Sequence, residues 1–160
     1  MKLFGKRDTS GEFLRVLALA GELSETYEIR TTRFYNFRQS GLDIWYELER
    51  ESFYSIGFEF DTAGVRSGGI KPYEGDLPAG IKRSDSCEEV ERKLGTKPEH
   101  SGWVRGCQSS SCDVKSRASS YWQHYTVPPY HFTIIFDSPE GGLHLLGMRL
   151  LSHEKAADKT

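Results

Sequence analysis

An α+β fold, made of two tandem modules that each pack a short helix on an antiparallel β-meander, is what this 160-residue sequence predicts. Three observations carry that expectation. A capped amphipathic helix pattern near the start recurs 74 residues later, an alternating strand pattern recurs after 88, and an apolar–Gly–apolar step recurs after 90. Register and face survive each comparison, which is what an internal repeat requires.

The first helix is expected over Ser10–Gly21. Phe13, Val16, Leu17 and Ala20 fall on one face, Ser10 caps the start and Gly21 closes the end. The second is expected over Ser84–Gly95, where Cys87, Val90 and Leu94 replace Phe13, Val16 and Ala20. Ser86 and Glu89 have capping-box spacing, so this helix begins either at Ser84 or at Ser86.

Three strands are expected after each helix. In the first half they are Arg33–Phe37, Leu42–Leu48 and Phe53–Phe60; in the second, Tyr121–Tyr125, Tyr130–Phe136 and Leu143–Leu151. Leu42, Ile44, Tyr46 and Leu48 alternate with Asp43, Trp45 and Glu47, the period of a half-buried strand. Tyr130, Phe132, Ile134 and Phe136 alternate in the same way with His131, Thr133 and Ile135. Ile56-Gly57-Phe58 recurs as Leu146-Gly147-Met148, and the two extra residues are assigned to a wider last turn over Asp137–Gly142.

The jump in offset from 74 to 88 places a 14-residue insertion between the second helix and its first strand, within Lys97–Ser120 and around Gly106–Cys112. The chain thus divides into a first module (1–70), a linker (71–83) punctuated by Pro and Gly, a second module (84–152) and a polar, frayed tail (153–160). A three-stranded sheet with one short helix is marginal alone, so the two modules are expected to pack as one folding unit.

Composition narrows the classes of function. With 28% charged and 37% hydrophobic residues the chain reads as globular, and a net charge of −2 excludes a strongly basic, whole-surface nucleic-acid binder. The longest apolar run, Phe13–Ala20, is interrupted by Arg15 and is too short to span a bilayer. Met1–Arg7 has no apolar stretch behind its basic residues, so no secretory signal is expected. Three cysteines make no disulfide framework, and the expected location is cytoplasmic.

A helix ending in Lys93-Leu94-Gly95-Thr96-Lys97-Pro98, followed by an aromatic-rich meander closing on Leu146-Gly147-Met148-Arg149-Leu150, resembles the helix-plus-sheet module of the β-lactamase inhibitory protein type. Related modules occur in small outer-membrane assembly lipoproteins. The tandem arrangement joined by Tyr73–Ile81 is similar to bacterial proteins associated with immunity to polymorphic toxins. The resemblance covers residues 10–151, implies a binding surface rather than a catalytic one, and assigns no individual site residue.

Strand alternation supplies the candidate surface. If Phe37 pairs with Leu42 across a four-residue turn, Tyr35 and Phe37 face the helix while Phe34 and Asn36 face outward. The outward set then includes Phe34, Asp43, Trp45, Glu47, Ser55, Gly57 and Glu59 in the first half. In the second it includes Trp122, His124, His131, Thr133, Leu145, Gly147 and Arg149. Aromatic residues among polar neighbours are typical binding anchors, so Trp45, Asp43, Glu47, Glu59, Phe34, Trp122 and His131 are the expected partner-binding residues. The structural alternatives are that Trp45 covers the backbone at Gly57, or that the two outer faces touch each other.

Other chemistries have weaker signals. Cys107 and Cys112, with His100 and Cys87, form one loose C-x4-C rather than two close ligand pairs, so no metal is expected. Cys87 stands in the position of Phe13 and reads as a core residue. A Cys107–Cys112 disulfide is geometrically open, though a cytosolic setting argues against it. The chain contains no G-x-S-x-G, P-loop, G-x-G-x-x-G or H-E-x-x-H, and His124 and His131 lack a nucleophile or carboxylate pair, so neither catalysis nor a cofactor is expected. Arg30–Arg38 interleaves basic and aromatic residues, but alternation divides those aromatics between two faces, and Asp43, Glu47 and Glu59 would repel phosphate. The expected partner is therefore a protein, and the expected role is an immunity protein that occludes a toxin's active site. The rivals are a small-molecule enzyme or metal protein using Cys107, Cys112, His124 and His131, and an envelope or assembly adaptor.

Overall fold

The computed structural model describes residues 3–60, 71–104 and 120–151. In these, eight strands form one antiparallel sheet and two short helices complete a mixed α+β fold dominated by sheet. Helix α1 (Gly11–Ala20) precedes β1 (Glu25–Ile29), β2 (Thr32–Phe37), β3 (Leu42–Glu47) and β4 (Ser52–Glu59). Helix α2 (Cys87–Leu94) precedes β5 (His100–Val104), β6 (Ser120–Val127), β7 (Tyr130–Ser138) and β8 (Gly141–Leu150). The sheet order is β1-β2-β3-β4-β8-β7-β6-β5, so β4 and β8 meet in the middle, with Gly57 opposite Gly147.

The helix ends follow from their caps. Ser10 accepts a hydrogen bond from the Phe13 N–H, and Gly21 closes α1 with its N–H on the Leu17 carbonyl. For α2 the open choice falls on Ser86. Its hydroxyl accepts from the Glu89 N–H, and the Glu89 carboxylate accepts from the Ser86 N–H, a complete capping box. Replacing Ser86 by Ala is expected to cost about 1 kcal/mol in chemical denaturation. Ser84→Ala should be silent, and equal losses would move the cap.

All six expected strands are present, with ends displaced by a few residues. Two more, β1 and β5, extend the expected three per half to four. Both are edge strands. Edges carry charged and polar residues on both faces, which blurs the alternation that reveals inner strands. In β1 only Tyr27 is even half-buried. Because β5 ends at Val104 and β6 begins at Ser120, the expected insertion falls between these two strands rather than between α2 and its first strand. Gly106–Cys112 lies outside the described residues, as does the tail 153–160.

The last turn is also corrected. Ser138 pairs with Gly141, leaving only Pro139 and Glu140 between them, so the expected wide turn is absent. The two-residue slack sits instead in the β6–β7 hairpin, which runs on past the Tyr125–Phe132 pair to Val127–Tyr130. The β2–β3 hairpin stops at Phe37–Leu42, the pairing expected. One more pleat lengthens a hairpin without exchanging its faces.

One buried cluster lies on the helix side of the sheet, including Phe13, Phe37, Ile44, Ile56 and Phe58 together with Cys87, Val90, Phe132, Ile134 and Leu146. The Phe13 ring lies 4.9 Å from Tyr35 and 4.6 Å from Phe53. Cys87 is a core residue, and burial pushes its thiol up to about 11. The linker packs as well: Tyr73 sets its ring 4.8 Å from Phe58, and Ile81 is buried. Asp85, also buried, accepts from the Lys82 N–H and from Lys93 Nζ at 2.6 Å. A hydrogen-bonded partner is what makes such a buried carboxylate tolerable.

Candidate functional site

On the side of the sheet opposite the core, cross-strand register assembles a row of aromatic side chains. Tyr27, Phe34, Trp45, Ser55, Arg149 and His131 face one another in sequence across β1, β2, β3, β4, β8 and β7. Tyr27 stacks on Phe34 at 4.8 Å and 10°. Phe34 meets Trp45 edge-on at 5.3 Å, and Trp45 meets Tyr54 at 6.3 Å. Such offset and edge contacts stabilise aromatic pairs beyond their buried area and hold the rings in fixed orientations.

Tyr54 reaches this face through a register slip. Trp45 pairs with Ser55 but Tyr46 pairs with Phe53, so Tyr54 is the extra residue of a β-bulge. Strict alternation would have turned Tyr54 toward the helices. Instead its hydroxyl lies 3.1 Å from Thr32 Oγ1, and Arg149 Cζ lies 5.7 Å from its ring and 6.0 Å from that of Trp45. A matching slip in β7–β8, between Ile135 and Phe136, makes His144 the extra residue and leaves Leu143 in the core.

The second half of the face is built differently. Trp122 lies flat against β5, where a Cβ on Gly102 would come within 3.2 Å of the indole. Gly102 is thus the seat of Trp122, and the ring packs 4.7 Å from His124. His124 in turn stands 5.4 Å from His131, whose Nδ1 lies 3.3 Å from Thr126 Oγ1. The glycine covered by a tryptophan is therefore Gly102, not Gly57. Opposite Gly57 on β3 stands Asp43, while Trp45 stands opposite Ser55.

The acidic candidates line the first half. Asp43 faces Asn36 and Gly57, Glu59 faces Leu145, and Glu47 faces Thr32 and Ser52 at the end of β3. One Glu47 carboxylate oxygen is buried without a hydrogen-bond partner among the described residues, a cost to stability where it stands. All seven expected partner-binding residues occur on one side of one sheet, in two groups. Trp45 on β3 and Trp122 on β6 are four strand spacings apart, roughly 19 Å. The outer faces of the two halves are continuous across β4–β8 instead of touching each other.

Of the residues named for other chemistries, His124 and His131 are brought together on the outer face, and His100 stands opposite His124 in register. Arg33 pairs with Asp8 and Glu28, and Arg38 with Glu25, each at 2.8 Å, so these cations are already engaged. Phe34 faces outward while Tyr35 and Phe37 are buried. A cleft of about 580 Å³, lined by Phe58, Tyr73, Leu77, Lys93, Tyr130 and Met148 among others, opens on the helix side. His124 and His131 are on the other side. Among the described residues no group of three His, Cys, Asp or Glu side chains is placed to hold a metal ion, and no helix is long and apolar enough to cross a membrane. Cys107 and Cys112 lie outside the described residues.

Comparison with known proteins gives no assignment: no family model, no curated protein and no solved structure matches this chain.

Proposed function

We propose that this chain is a cytoplasmic, non-enzymatic binding protein, built from two tandem helix-plus-meander modules, that neutralises a bacterial toxin by covering its active site. The observation that carries this reading is the aromatic row Tyr27–Phe34–Trp45–Tyr54 on the side of the sheet opposite the core, where the first three rings are half-buried and Tyr54 is buried behind them. Both described helices pack on the opposite side. Anchors held on paired strands lose little conformational freedom on association, and large aromatics contribute most of the energy of protein interfaces. Asp43, Glu47 and Glu59 beside them supply the charge that would steer a basic active site into register. For the small-molecule alternative there is the cleft on the helix side, which His124 and His131 do not line.

The test is co-expression with a toxin encoded directly upstream. The wild-type chain is expected to rescue growth and to co-purify with the toxin domain. Trp45→Ala combined with Trp122→Ala should weaken the complex by about 100-fold or more, with the folded state retained. Failure to rescue and to co-purify would remove the immunity role, and an undiminished affinity in the double variant would remove this surface.

A further inference from the structure

Arg149 is placed unlike the other arginines of the sheet. Arg33 and Arg38 are ion-paired, whereas the Arg149 guanidinium has no hydrogen bond or ion pair among the described residues and is held only over the rings of Trp45 and Tyr54. It is half-buried on the outer face, directly across from His131 on β7 and Ser55 on β4. A guanidinium carries five donors in a planar fork matched to a carboxylate, and aromatic faces that fix its plane reduce the freedom lost when the fork closes. The adjoining pair Gly57–Gly147 is half-buried and carries no side chain. An added Cβ there would make only ordinary contacts, with Asp43 at 3.6 Å and with Thr133 and Leu145 at 3.6–3.9 Å, so a group the size of a methyl fits beside Arg149.

From this geometry we infer that Arg149, with His131 as its cross-strand neighbour, receives a carboxylate from an acidic side chain of the protein partner, beside the Gly57–Gly147 pair. The inference rests on the outer face being the docking surface and adds the charge that the partner brings to its centre. A single carboxylate fits better than a phosphate chain, because Asp43 stands beside Gly57 and Glu59 and Glu47 lie on the same face. Those carboxylates would repel a polyanion such as nucleic acid more strongly than a single carboxylate. The partner therefore brings one Asp or Glu, and not a run of negative charge, to the middle of the sheet.

The site is testable on the isolated protein. The probe is N-acetyl-aspartate methylamide, titrated at constant ionic strength against ¹⁵N-labelled protein while the Arg149 Nε–Hε and Trp45 indole resonances are followed. A saturable shift of both is expected. Arg149→Gln should weaken the Trp45 response by about tenfold or more, with the rest of the backbone spectrum unchanged. Arg149→Lys, which keeps the charge but loses the fork, should fall between. The proposal is overturned by a non-saturable shift, by an equal response in Arg149→Gln, or by the same response to the neutral asparagine analogue. Tighter binding of inorganic phosphate than of the aspartate probe would overturn the carboxylate as its ligand. Failure of this titration leaves the toxin-rescue result standing; loss of rescue with an intact titration removes the partner and spares the anion site.

Discussion

Cutting Ile44 or Phe132 back to alanine is expected to lower the unfolding free energy by about 2–5 kcal/mol, while Glu47→Gln and Thr133→Ala stay within about 0.5–1 kcal/mol. Ile44 is fully buried on β3 between Tyr35 and Ile56, and Phe132 is 3% exposed on β7 between Tyr125 and Met148. Each truncation removes methylene or ring contacts from a cluster bounded by paired strands, and strands cannot collapse into the void without breaking their ladders. Glu47 and Thr133 point the other way. Urea denaturation of the four variants measures the contrast directly. Equal losses at inward and outward positions would mean that the faces of the sheet are assigned wrongly.

Gly41→Ala is expected to be as damaging, at about 2–5 kcal/mol, although Gly41 contributes no side chain to the core. Its φ is +60°, and an added Cβ would lie 2.6 Å from the Lys71 carbonyl oxygen, 2.6 Å from the Tyr73 nitrogen and 2.8 Å from the Glu59 carbonyl oxygen. All three are main-chain atoms, so no side chain can swing away. They belong to a junction: the Glu59 N–H donates to the Gly41 carbonyl, the Tyr73 N–H to that of Glu59, and the Lys71 N–H to that of Arg38. Gly95→Ala is the control, with φ +69° and nothing within 4 Å of the added carbon. It should cost only the backbone strain, about 1–2 kcal/mol. If the two variants melt alike, the linker does not press on the β2–β3 turn.

Local chemistry made much of the fold legible before any coordinates. Ser10, Ser86, Glu89 and the two closing glycines mark helix ends because capping acts between residues three or four apart. Ile44 and Phe132 could be turned inward because a half-buried strand has a period of two. The misses occur where that period fails or where the determining neighbour is remote. Glu25–Ile29 borders solvent along one edge, so nothing forces its residues to alternate sharply. Tyr54 sits in a bulge, and one inserted residue is enough to reverse its face. Gly102 reads as a loop residue until Trp122 is seen lying on it. The contact of Arg149 with Trp45 depends on β4 lying beside β8, for which no local pattern in either segment speaks.

The meeting of β4 with β8 has a thermodynamic consequence. Gly57 and Gly147 are 90 positions apart, whereas the hairpins β2–β3 and β7–β8 are closed by a few residues. Joining the ends of so long a loop costs about 3 kcal/mol more chain entropy than closing a short hairpin. That deficit falls on a handful of seam contacts, and they are among the driest in the molecule: Ile56, Phe58, Leu146 and Met148 are all 3% exposed or less. Their side chains all lie toward the helices, whereas on the other side the seam is held by Ser55, whose hydroxyl donates to the Met148 carbonyl, and by Arg149 over the Tyr54 ring. Its cohesion is uneven, and matter laid across the sparser side adds to the free energy that keeps the two halves of the chain joined.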